Sequence, residues 1–239
     1  MQKDKLLHYF GIDSNPISHR EKIISAFGGF VGILCILYVS SLFVGIEEAV
    51  YIIPSMGASA VLLFAVPHSA LGQLWNVFGG HLISAGIGVI CAQLIPIDGI
   101  AAASSVGLAI VAMYYARCIH PPGGATALAA VIGGPQIHAL GFEYILAPVA
   151  INTVILLLVA FLFNSLFKWR RYPAFLASIE ARVPQAQDVY SSVDHADLVY
   201  ALSQIDTYID VTEEDLLQIY KLATGRDVNA RIDSGTNGA

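Results

Sequence analysis

The chain has 239 residues, 56% hydrophobic and 13% charged, whereas a soluble domain carries about a quarter charged. That composition excludes an ordinary soluble domain and indicates an integral, all-α membrane protein. The net charge of −6 gives no support for nucleic-acid binding.

Residues 1–22 read as a polar lead-in. The first long apolar run, Ile23–Ile46, has the length to cross a hydrocarbon core, which takes about 20 helical residues. It is too long for a signal-peptide core and lacks a small-residue cleavage site. Gly28 and Gly32 give it a small-xxx-small face for close packing. Glu47 and Glu48 mark an aqueous boundary, and Tyr51–Pro67 follows as a segment interrupted at Pro54. The next span, about Trp75–Ile95, carries Asn76, His81, Ser84 and Gln93, more polar groups than a lipid-facing helix tolerates. Pro96-Ile97-Asp98-Gly99 is a turn. A third span, about Ile100–Ala116, ends at Arg117.

His120-Pro121-Pro122-Gly123-Gly124-Ala125-Thr126-Ala127-Leu128 then interrupts the apolar pattern where a membrane helix should continue. The two prolines predict an extended or turned entrance. Helix is expected from Ala125 to about Ile132, stopped by Gly133-Gly134-Pro135. The fourth long span is about Tyr144–Phe167, with Asn152, Thr153 and Asn164. Residues 169–193 read as an amphipathic helix and linker, 194–225 as a cytoplasmic helical hairpin, and 226–239 as a disordered tail.

The interruption occurs twice. Pro54-Ser55-Met56-Gly57-Ala58-Ser59-Ala60-Val61 matches Pro121-Pro122-Gly123-Gly124-Ala125-Thr126-Ala127-Leu128 as P-x-x-G-A-[ST]-A-[VL]. The transmembrane domain, 23–168, therefore divides into three-element repeats of about 23–95 and 96–168, each with a broken or half-length helix. The alternative is chance similarity between two Gly/Ala-rich segments. An extended residue spans about 3.3 Å and a helical one about 1.5 Å, so either broken segment could reach across. Crossing gives six passes and inverted repeats; folding back gives four passes and parallel repeats. Six passes put Arg20, Lys22, Arg117, Lys168, Arg170 and Arg171 on one side, as the positive-inside rule prefers. Either topology puts both termini in the cytoplasm.

The run from His120 to Ala127, with Pro54–Ala60 and Trp75-Asn76-x-x-Gly79-Gly80-His81, resembles the signature of the HPP family of membrane proteins. The resemblance covers about residues 20–170. It implies a membrane domain usually drawn with four helices, and some members are implicated in nitrite transport. Bacterial members often carry nucleotide-sensing CBS modules, and the 194–225 hairpin looks like the segment leading to them. It points to a bacterial-type inner membrane.

The expected function is a transporter or channel for a small inorganic anion, nitrite first. Its expected site is two half-helix N-termini, where a partial positive charge and free N–H groups meet an anion. Pro54, Gly57, Ala58 and Ser59 supply one mouth. His120, Pro121, Pro122, Gly123, Gly124, Ala125 and Thr126 supply the other. Gly124 is expected to tolerate substitution worst. His81 and His120 would add hydrogen bonds or proton coupling; for His120, a helix-end residue bonded to backbone is the plain alternative. His68 and His138 read as ordinary loop residues, and Arg117 as an anchor or a vestibule cation. Cys35, Cys91 and Cys118 lack metal-ligand spacing, so no metal or cofactor is expected. No nucleophile–base pair is visible, so no catalytic residue is assigned. The expected partners are the lipid bilayer, the small anion and further copies of the chain in a homo-oligomer. The alternative function is a non-transporting sensor or scaffold that signals through the hairpin.

Overall fold

The computed structural model describes residues 18–43 and 46–176. The 194–225 hairpin, the 226–239 tail, most of the 169–193 segment and nearly all of the lead-in lie outside them. Among the described residues the fold is all helical, without strands. The elements are α1 (His19–Phe43), α2 (Ile46–Ala65), α3 (Leu74–Leu94), α4 (Asp98–Tyr115), α5 (Pro121–Ile132), α6 (Gly134–Leu140) and α7 (Ile151–Ser165). A π-type turn, Ile145–Ala150, leads into α7 and kinks at Ala147 and Pro148. Among the described residues, four stretches are long and apolar enough to cross a membrane: His19–Ser41, Leu74–Leu94, Asp98–Tyr115 and Ile145–Ser165.

The polarity is that of a protein in lipid. Phe30, Leu34, Leu108, Val111, Leu158 and Leu162 face outward and are exposed, whereas Ser59, His81, Ser84, His120, Thr126 and Asn152 are buried. Apolar exteriors need no water, and buried polar groups must find partners inside. Gly28 and Gly32 do form a packing face. A Cβ on Gly28 would come 2.6 Å from the Phe64 ring and 2.7 Å from Phe163, and one on Gly32 would come 2.8 Å from Phe64.

Both interrupted segments differ from the sequence reading. α2 is one continuous helix of 20 residues with Pro54 inside it, so Gly57, Ala58 and Ser59 do not open a helix. A proline removes one intrahelical hydrogen bond, but in lipid the gain from keeping every other backbone pair holds the helix together. The second segment is half-length, as expected, but α5 starts at Pro121 rather than Ala125. A proline's fixed φ suits the first helical position, where its missing N–H costs nothing. Gly134, at φ +83°, then turns the chain into α6.

The direction of each element follows from its contacts. Trp75 Nε1 donates to the Ala116 carbonyl (3.0 Å) and Asn76 Nδ2 to the Ile119 carbonyl (2.8 Å). Further along α3, a Cβ on Gly80 would meet His120 and one on Gly88 would meet Ala127. Finally Cys91 clusters with Val131. Residues 116–132 therefore run parallel to α3 along most of its length. One end of the bundle gathers Glu21 and Arg170, which are ion-paired, the α3 start, Ala116 beside Arg117, and Ala174, whose N–H donates to Gln73 Oε1 at 2.9 Å. Asp98, at the start of α4, lies at the other end.

Candidate functional site

Four side chains picked out by sequence meet where α2, α3 and α5 cross. Ser59 Oγ lies 2.8 Å from His81 Nε2 and 2.8 Å from His120 Nε2. His81 Nδ1 lies 2.7 Å from Thr126 Oγ1. His120 Nδ1 donates to the Leu71 carbonyl at 2.9 Å. The two imidazole rings meet edge to face with centroids 4.8 Å apart. All four residues are fully buried, at 0% exposure, so each must be satisfied within the protein.

Ser59 and Thr126 occupy matching positions of the P-x-x-G-A-[ST]-A pattern, and they hold the two nitrogens of one ring, His81. Each hydroxyl also has a carbonyl acceptor one turn behind it: Ser55 O at 3.1 Å for Ser59 and Pro122 O at 3.4 Å for Thr126. Tyr144, fully buried, fixes the α5 backbone by donating to the Thr126 carbonyl at 3.1 Å.

Glycines let the helices approach. A Cβ on Gly123 would sit 2.7 Å from Ser84 Oγ and 2.8 Å from the Gly80 carbonyl oxygen; one on Gly80 would sit 2.5 Å from His120 Cβ. Gly124 is not the tight position. A Cβ there meets Val106 at 3.8 Å, an ordinary contact, and one on Gly57 meets nothing within 4 Å. The remaining motif residues do not join the cluster: Pro54, Ala58, Pro121 and Ala125 are exposed on their helices, and Pro122 takes part through its carbonyl.

The helix-mouth chemistry is corrected too. Pro121 and Pro122 have no N–H, and the Gly123 N–H already donates to the His120 carbonyl at 2.8 Å. The first turn of α5 thus offers an anion no free donor, and α2 has no mouth at this depth. What the site presents instead is hydroxyl and imidazole.

A second polar centre escaped the sequence reading. Arg170, expected only as a flanking cation, is 1% exposed. Its guanidinium donates to Glu21, to Asn164 Oδ1 at 3.1 Å, to Ser25 Oγ at 3.2 Å and to the Phe64 carbonyl. Asn164 Nδ2 donates to the Leu63 carbonyl at 3.0 Å. The last carbonyls of α2, which lack intrahelical partners, are thereby satisfied by a cation and an amide. Burial lowers the Arg170 pKa from the usual arginine range, and the Glu21 charge and hydrogen bond oppose that. No local periodicity signals this pair, because its members lie at opposite ends of the described chain.

Among the described residues, no cluster of three or more His, Cys, Asp or Glu could hold a metal ion. The family model described as the HPP transmembrane region matches residues 14–173. Two transmembrane proteins of Dictyostelium discoideum are similar to the chain. One is 39% identical over 150 residues, covering 61% of this chain and 48% of that protein. The other is 36% identical over 168 residues, covering 67% and 58%. The chain spans about half the length of these relatives. No solved structure matches it.

Proposed function

The chain belongs to the HPP transmembrane family, and on that premise we propose that it transports a small inorganic anion, nitrite first among the candidates. The observation that carries this reading is the buried cluster of Ser59, His81, His120 and Thr126. Polar and ionisable groups inside a membrane bundle are costly and mark substrate or proton paths. A compact oxyanion would be held by hydroxyl and imidazole donors when the α2–α3–α5 junction opens. No nucleophile or metal centre is required, so the protein is a transporter and not an enzyme.

In this reading 116–132 crosses the membrane, giving six traverses and inverted repeats. The contacts support it. Under the exchange of α1 for α4, α2 for α5 and α3 for α7, packed pairs map onto packed pairs: α1·α2 onto α4·α5, α3·α4 onto α7·α1 and α3·α5 onto α7·α2. The pairs α2·α5 and α3·α7 map onto themselves. The cation-rich end, with Arg20, Lys22, Arg117, Lys168 and Arg171, would face the cytoplasm of a bacterial-type inner membrane. Both termini would lie on that side, and the transporter would work as a homo-oligomer.

The sensor reading has one observation in its favour. Tyr172 donates to the Gly72 carbonyl at 2.9 Å and the Ala174 N–H to Gln73 Oε1 at 2.9 Å. The segment after α7 thus grips the loop whose Leu71 carbonyl holds His120. Movement of the C-terminal region would reach the site through that loop.

Purified protein in liposomes, tested with nitrite, nitrate, formate, chloride and bicarbonate, decides between the two. The expected result is flux of at least one anion above protein-free vesicles, reduced by Ser59→Ala. Inability to move any of the five would remove the transport reading.

A further inference from the structure

The hydrogen positions in the buried cluster follow by elimination. The Leu71 carbonyl only accepts, so His120 carries its hydrogen on Nδ1. In a neutral ring, His120 Nε2 is then an acceptor, and the Ser59 hydroxyl must donate to it. Ser59 has one hydrogen and has spent it, so His81 must donate from Nε2 to Ser59 Oγ. His81 Nδ1 is left as an acceptor, and the Thr126 hydroxyl donates to it. One directional chain results: Thr126 to His81, His81 to Ser59, Ser59 to His120, His120 to Leu71.

In that state every N–H and O–H of the four side chains is committed. An anion arriving here finds no donor and no charge. A single added proton changes both. Taken up at Thr126 Oγ1, it displaces the Thr126 hydrogen to His81 Nδ1. His81 releases its Nε2 hydrogen to Ser59 Oγ, and the Ser59 hydrogen passes to His120 Nε2. The product is one imidazolium, with one net positive charge and one extra donor. The Ser55 and Pro122 carbonyls, 3.1 Å from Ser59 Oγ and 3.4 Å from Thr126 Oγ1, let both hydroxyls reorient when the chain resets.

We infer that the Thr126–His81–Ser59–His120 chain is a proton relay, and that the anion is carried together with a proton from bulk water. The inference rests on the transport reading and adds its coupling ion. The groups around the relay are Ser55 and Ser59 from α2, His81 and Ser84 from α3, Thr126 from α5, Tyr144 before α7, and Cys118 against Gly79. Among the described residues no carboxylate, lysine or arginine is hydrogen-bonded to Ser59, His81, His120 or Thr126. The transported anion is therefore the counter-charge of the imidazolium.

Two measurements test it. Proteoliposomes with a trapped pH dye receive an inward nitrite gradient, with protein-free vesicles subtracted to remove leakage of nitrous acid; nitrate, the anion of a strong acid, is the second probe. The lumen should acidify in step with anion uptake, and Ser59→Ala should cut both by about tenfold or more, as expected for a lost hydrogen bond to a charged group. Anion uptake with constant lumen pH and no response to a protonophore would overturn the relay and leave transport standing. No uptake of nitrite, nitrate, formate, chloride or bicarbonate would overturn both. Independently, nitrogen NMR of the wild type labelled at histidine should find hydrogen on Nδ1 of His120 and Nε2 of His81. The opposite tautomer at either ring would overturn the relay whatever the flux.

Discussion

Adding one methyl group at neighbouring glycines should have opposite consequences. At Gly123 the new Cβ would come 2.8 Å from the Gly80 carbonyl oxygen and 2.7 Å from Ser84 Oγ. The serine can rotate away; the carbonyl belongs to α3 and cannot. α5 must back off by a few tenths of an ångström or more, and overpacking of this kind costs about 1–3 kcal/mol. Thr126 lies one turn further along the same helix, so its 2.7 Å contact with His81 lengthens with the shift. At Gly124 the Cβ meets only Val106 at 3.8 Å, and replacing glycine by alanine inside a helix stabilises by about 0.5–1 kcal/mol. Both glycines lie inside α5 and share that gain, so the overpacking decides the difference: Gly123→Ala should be about 1–3 kcal/mol less stable than Gly124→Ala. At about 2–4 °C per kcal/mol for a chain of this size, its melting temperature should be lower by on the order of 2–12 °C. The assay is thermal unfolding of both variants in one detergent, paired with anion flux in liposomes. Equal melting temperatures, or a greater loss at Gly124, would refute the packing reasoning and restore Gly124 as the critical position.

Arg170→Met strands Glu21 and the α2 terminal carbonyls, and breaking such a partly buried pair costs about 3–5 kcal/mol; thermal melts should show Glu21→Gln/Arg170→Met losing less than the sum of the single changes. In a background with Cys35, Cys91 and Cys118 replaced by serine, Tyr115→Cys should react with an impermeant thiol reagent only after permeabilisation, and Asp98→Cys should react in intact cells; the reverse pattern, or labelling of both from one side, would defeat the six-traverse topology. Tyr144→Phe removes the bond to the Thr126 carbonyl, worth about 1 kcal/mol, so concentration dependence of flux should show a several-fold weaker apparent affinity with the protein still folded. Unchanged affinity would mean that Tyr144 does not position α5.

Much of the site was legible because its residues break local rules. His81 interrupts an apolar span, and His120-Pro121-Pro122 interrupts the pattern after α4. Ser59 and Thr126 stand out because the surrounding motif occurs twice. Lipid makes such departures conspicuous, since polar groups there need a reason. How these residues act was not legible. Proline at position 54 suggests a break, yet α2 runs through it, because a membrane environment penalises open backbone more than one lost hydrogen bond. Proline at 121 suggests a later helix start, yet it begins α5 and removes the donors that an anion was expected to use.

By itself the sequence determined the class of the protein, the approximate extent of the four long spans and the doubled motif, and it named Ser59, His81, His120 and Thr126 among twelve candidates without separating them from the rest. Those are properties of composition, period and self-similarity, which need no partner. Tertiary structure decided that Ser59 and Thr126 hold one imidazole between them, that Gly123 rather than Gly124 lies against α3, and that Arg170 reaches back to Glu21. Each of those depends on the approach of segments distant along the chain, to within tenths of an ångström, and such approach is set by packing of the whole bundle rather than by any local stretch of it.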